Sequence, residues 1–197
     1  RVEAAERPAP IPACRRPPAK RGCTMPLFGL FMKAELENVA RITFPQETDW
    51  TLDIQEPSGV DIRERITVNA NEEEEIPNSK GKANFLVKFE GAKQVSTMSM
   101  LTLTRKTELK DFKGVSELGV FTAEGGGKVP IAVFDCRGVE PIKWYPVGPF
   151  TVETEGGKTF AGVDLTDAIG DGWCEYDEGA EAPVNITDLT FEFKTVR

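Results

Sequence analysis

From Leu30 onward, apolar and polar positions along the chain alternate with a period of two. Leu30, Met32, Ala34 and Leu36 alternate with Phe31, Lys33, Glu35 and Glu37, the pattern of a strand with one face on a core. Trp50, Leu52 and Ile54 repeat it, and Ile62, Ile66 and Val68 mark a third run. Further runs of β-branched and aromatic residues cover 85–90, 95–104, 128–136, 159–165 and 189–196, with Leu189, Phe191 and Phe193 on one face. Turn-forming residues separate them at Glu56–Gly59, Asn78–Gly81, Glu124–Gly127 and Glu155–Gly157. No helical period lies between these runs. The pattern predicts an all-β fold, an antiparallel sandwich or barrel with a hairpin lobe, built by residues 25–197 as a single β-rich domain. The polar stretch 167–183 has no period and reads as a long surface loop with one helical turn.

Composition divides the chain unevenly. Residues 1–24 carry six cations against two carboxylates, so the remainder holds a net −12 of the total −8. This basic Pro/Ala-rich segment, residues 1–24, has the composition of a disordered tail. A body so acidic repels phosphate backbones, which argues against nucleic acid as a partner. No apolar run reaches the length of a membrane-spanning helix. The chain is expected to work in the cytoplasm.

The 197 residues include no histidine. That removes the commonest general base and metal ligand, together with every Ser-His and Cys-His dyad. Cys14 and Cys23 lie in the tail and Cys136 and Cys174 in the body, with no Cys-x-x-Cys spacing among them. Cys136, in an apolar stretch, reads as a buried reduced thiol.

Phe134-Asp135-Cys136-Arg137-Gly138-Val139-Glu140-Pro141 resembles the F-x-C-R-G-[VL]-E-P motif of the small eukaryotic CXXC-motif-containing zinc-binding proteins. Further segments resemble that family in the same order: Phe31–Val39, Trp50–Leu52, Trp144–Phe150, Phe160–Leu165 and Trp173–Glu178. The resemblance covers roughly residues 26–196. It implies a β-rich fold and a tetrahedral zinc held by two Cys-x-x-Cys knuckles. At the matching positions stand Glu56 and Gly59 for the first knuckle, and Phe89 and Ala92 for the second. A structural zinc takes four nitrogen, sulfur or carboxylate ligands, so one carboxylate beside Gly, Phe and Ala predicts a member without zinc and without any cofactor. Such sites contribute on the order of 10 kcal/mol to folding. The lobe at 50–104 is therefore expected to rest on apolar packing by Phe85, Leu86, Phe89, Val95, Met98 and Leu101.

Other motifs carry little. Gly157-Lys158-Thr159 lacks the glycine five positions earlier that a phosphate-cradling loop needs, since Val152 stands there, and it reads as a hairpin turn. Glu72–Glu75 reads as a solvated acidic loop. Asp164, Asp167, Asp171, Glu175, Asp177 and Glu178 do not follow the spacing of a calcium loop. Trp144, Tyr145 and Trp173 are either core aromatics or a partner-binding surface, and Arg137 is a structural charge partner. Two function classes follow. The first is a non-enzymatic interaction or scaffold protein with a protein partner. The alternative is a divalent-cation-binding or carbohydrate-active module using the acidic loop 164–178.

Overall fold

A computed structural model describes residues 26–101, 112, 118–122 and 127–196. The basic segment 1–24, Thr102–Thr104 and most of the turn at 124–127 lie outside them. Every strand pairing is antiparallel. The longest sheet runs in the order β14 (Trp173–Asp177), β15 (Ala182–Val196), β1 (Leu27–Glu37), β10 (Val129–Arg137), β8 (Ser96–Met100) and β7 (Phe85–Val87). A three-stranded sheet orders β11 (Glu140–Tyr145), β3 (Trp50–Gln55) and β4 (Ile62–Val68). A four-stranded one orders β13 (Thr159–Val163), β12 (Phe150–Thr154), β2 (Val39–Thr43) and β9 (Val120–Phe121). The short hairpin β5 (Glu74–Glu75) and β6 (Lys82–Ala83) stands apart. The all-β expectation is met.

Two corners lead strands out of the long sheet. At Asn38 (φ 56°) β1 passes into β2, with the Asn38 amide donating to the Pro183 carbonyl at 2.7 Å; asparagine tolerates this left-handed conformation better than most residues. At Gly138 (φ 70°) β10 passes into β11. The sheets therefore wrap one core, in which Leu30, Met32, Ile42, Leu52, Ile54, Met98 and Val152 are fully buried. Aromatic rings close the junction between sheets. Phe44 lies 4.9 Å from Phe150, Trp50 lies 5.9 Å from Trp144, and Trp144 lies 5.7 Å from Phe191. A smaller cluster of Val133, Val196, Phe112 and Leu118 covers the other face of the long sheet.

Three elements differ from the sequence expectation. The stretch 167–183 is not one loop: after a 3-10 turn at Asp167–Ile169 it contains β14, an edge strand whose three central residues all face solvent. Strand β4 does not present Ile62, Ile66 and Val68 on one face, because its pairing with β3 slips between Leu52 and Ile54. Ile62 then pairs with Gln55 and is 47% exposed. The six apolar residues of 85–101 form no nucleus of their own. Phe85, Phe89 and Met98 join the main core, Leu101 packs with the smaller cluster, and Leu86 and Val95 belong to neither.

Candidate functional site

The four positions that the sequence resemblance sets against zinc ligands, Glu56, Gly59, Phe89 and Ala92, fall in two tight turns. In the first, Gly59 donates its N–H to the Glu56 carbonyl at 2.7 Å and takes φ 74°, while Ser58 donates its hydroxyl to the Glu56 carboxylate at 2.6 Å. In the second, Ala92 donates its N–H to the Phe89 carbonyl at 3.2 Å, with Gly91 at φ 74°. The turns are neighbours. The Asp61 carboxylate beside the first accepts the Glu90 N–H of the second at 3.1 Å, and Arg63 pairs with the same oxygen at 3.2 Å. Phe89 points into the core and is only 1% exposed.

The run Cys136-Arg137-Gly138-Val139-Glu140-Pro141 builds the corner between β10 and β11. Cys136 is fully buried; desolvation, with the Asp135 and Glu140 carboxylates nearby, pushes its thiol far above the ordinary range. A thiol held protonated is a poor nucleophile and ligand. Arg137 is exposed and reaches Asp135 at 3.5 Å. A Cβ on Gly138 would lie 2.8 Å from the Ser96 hydroxyl, which donates to the Gly138 carbonyl at 2.7 Å. Val139 and Pro141 are buried, and Glu140 accepts from the Gln55 amide at 3.3 Å. This motif does structural work at a bend.

The aromatics expected to form a partner surface do not share one. Trp144 is 1% exposed and belongs to the core, so its place on a partner surface is corrected. Tyr145, the next residue of the strand, faces the opposite way, as the two-residue period requires. Its hydroxyl donates at 2.8 Å to Asp53, a carboxylate 7% exposed that also accepts the Arg65 N–H at 2.8 Å. The Arg65 guanidinium lies 4.5 Å from the Tyr145 ring centre and the Lys143 ammonium 4.4 Å from it. Arg65 takes φ 52° where β4 bulges. Trp173 stands elsewhere, half-buried on β14, packing edge-on against Phe160 at 5.7 Å.

A family model for the eukaryotic CXXC motif containing zinc binding protein matches residues 29–194. The chain belongs to that family. A UPF0587 protein of Saccharomyces cerevisiae is 30% identical over 84% of this chain and 96% of its own length. A UPF0587 protein of Caenorhabditis elegans is 26% identical over 88% and 97%. The CXXC motif containing zinc binding protein of Bos taurus is 26% identical over 83% and 95%. Among solved structures, a hypothetical protein from Plasmodium falciparum superposes with a TM-score of 0.72 at 30% identity, covering 85% of this chain and 99% of that one. The crystal structure of C1orf123 superposes at 0.69 and 22% identity, over 86% and 99%, a likeness of fold.

The family is named for zinc, and the residues here do not fit it. At the four positions set against ligands by the sequence resemblance, the only donor side chain is the Glu56 carboxylate; glycine and alanine offer none, and Phe89 places a buried phenyl ring. Among the described residues no three His, Cys, Asp or Glu side chains converge to hold a metal. The acidic stretch 164–178 is likewise not assembled into one site. Asp164 accepts the Thr166 N–H at 2.8 Å and the Thr166 hydroxyl at 2.6 Å. Asp177, 2% exposed, accepts the Thr154 hydroxyl at 2.6 Å and the Gly179 and Ala180 N–H groups. These bonds, the Thr154 hydroxyl foremost, hold its carboxyl below the usual range. Asp177 thereby ties the β14–β15 turn to the β12–β13 turn, a role hidden in the sequence among five other acids.

The described residues line at least two cavities. One of about 130 Å³ is lined by Phe44, Trp50, Met100 and Leu118 with Gln46 and Asn71, and no charged group of the described residues. The other, of about 280 Å³, has Arg137 beside Ser79, Ser96 and Thr97. Neither sets a nucleophile beside a base among those residues, which general acid–base or covalent chemistry requires. Among the described residues, no helix is long and apolar enough to cross a membrane.

Proposed function

We propose that this chain is a non-catalytic member of its family, a protein-binding or scaffold protein of the cytoplasm whose knuckle turns are held without zinc. The observation that carries this reading is the bridge between the turns. Where relatives named for zinc binding would have a metal, the Asp61 carboxylate accepts the Glu90 N–H and the Phe89 ring packs into the core. A phenyl ring buried at a ligand position replaces coordination with apolar burial, on the order of 4 kcal/mol for such a side chain. Cys136 and Cys174 are free thiols, in keeping with a reducing compartment. Elemental analysis of protein made in zinc-supplemented medium tests the metal half of the proposal. Far less than one zinc per chain is expected, and one zinc per chain would overturn it.

A further inference from the structure

The cavity of about 130 Å³ beside Trp50 is walled by stretches of chain far apart in sequence: 44–46 with Trp50, then 70–71, 100–101, 118–119 and 131–132. Hydrogen bonds brace these walls against one another. The Asn84 side chain donates to the Ala70 carbonyl at 3.1 Å and accepts the Met100 N–H at 2.8 Å. The Asn69 amide donates to the Glu47 carbonyl at 3.0 Å and to the Asp49 carboxylate at 2.7 Å, which joins the turn bearing Ala70 to the loop that leads to Trp50. Gly119 accepts the Phe44 N–H at 2.7 Å and donates its own N–H to the Ile131 carbonyl at 3.0 Å. Walls held this way resist collapse. Well-packed interiors keep few voids wider than a water molecule, and a pre-formed apolar pocket with a few polar groups is the usual form of a small-molecule site.

Size and lining define the occupant. An apolar cavity of about 150 Å³ holds one benzene ring, so the space here suits a single ring. Phe44 and Trp50, both buried, contribute aromatic walls, their ring centres 5.8 Å apart and inclined at 27°. Met100 adds a thioether, which favours the edge of an aromatic ring. The exposed Gln46 and Asn71 bring side-chain amides to the solvent side, where they match a group that both donates and accepts hydrogen bonds. No charged side chain of the described residues lines the space, and an ion buried without a partner is strongly disfavoured.

We propose that this cavity binds a neutral single-ring aromatic molecule carrying one amide-like substituent, the ring held between Phe44, Trp50 and Met100 and the substituent at Gln46 and Asn71. The site is separate from the interaction role proposed above and needs no partner protein.

The test titrates benzamide into the full chain labelled with 13C at its methionine methyl groups, four in all, and follows them by NMR. The Met100 signal is identified by its loss in Met100→Leu. A saturable shift of that signal is expected, with a dissociation constant on the order of 1–10 mM for so small a ligand. Met32, fully buried outside the lining, should not move. Cyclohexanecarboxamide, of similar size without the aromatic ring, should bind at least about threefold more weakly, and benzoate at least about tenfold more weakly. Ala132→Leu, which fills part of the space, should weaken benzamide at least about tenfold; should that variant fail to fold, Ala70→Leu carries the test. Val60→Ala, exposed and outside the lining, should leave binding unchanged. No saturable Met100 shift up to the solubility limit of benzamide, the result if residues 102–117 of the chain itself fill the space, overturns the proposal. So does equal binding of the three compounds, or equal loss in Val60→Ala and the filled variant.

Discussion

Replacing Phe89 by alanine probes what holds the knuckle turns. The ring is 1% exposed and packs with the main core, at a position the sequence resemblance sets against a zinc-ligating cysteine. A phenylalanine buries about 150–250 Å², and at about 25 cal/mol per Å² that is roughly 4–6 kcal/mol as an upper bound. Truncations of this kind cost about 3–5 kcal/mol when the surroundings relax only partly, so Phe89→Ala is expected in that range. Against a typical total of about 5–15 kcal/mol, this is a loss large enough to unfold part of the population. Urea unfolding followed by tryptophan fluorescence reads the change as a fall in midpoint at constant slope. Leu86→Ala, half-buried and outside both clusters, is the control and should cost about 1 kcal/mol or less. A Phe89→Ala cost below about 1 kcal/mol would refute the idea that apolar burial supplies the cohesion.

Gly138→Ala places a methyl group 2.8 Å from the Ser96 hydroxyl at φ 70°, and should cost about 2 kcal/mol or more by the same urea assay. The lowered Asp177 carboxyl stabilises the fold above the unfolded aspartate value of 3.8, and that contribution is lost as pH falls through the folded-state value. Thr154→Val removes the leading cause of the shift, so melting temperatures recorded against pH should fall less steeply below about pH 4 in the variant; identical slopes would contradict the assignment. Brief iodoacetamide treatment of the native protein, read by peptide mapping, should modify the exposed Cys174 and spare the buried Cys136.

How far the sequence revealed these features depends on how each side chain meets solvent. Strands with one buried face, β1 and β3 above all, carry the two-residue period openly, and the corner motif at Phe134–Pro141 pointed to the family. Strand β14 was hidden because it lies at a sheet edge with Cys174, Glu175 and Tyr176 all exposed; without a buried face there is no alternation to see. Strand β12, with Phe150, Val152 and Thr154 buried between half-buried neighbours, did carry that signal and could have been recognised. The bulge at Arg65 explains Ile62, since one extra residue reverses every side chain beyond it. Tyr145 and Trp144 illustrate the same rule from the other side: consecutive strand residues cannot both line one surface. The Asp53 contacts and the Asp61–Glu90 bridge join residues 12, 92 and 29 positions apart, and no local pattern encodes them.

The claim on which the rest depends is that burial and hydrogen bonds, not a coordinated ion, keep the turns at Glu56–Gly59 and Phe89–Ala92 together. Thermal melting of the purified chain with and without excess chelator measures this directly. Superimposable curves are predicted. A melting temperature that falls with chelator and returns on adding zinc would contradict the account.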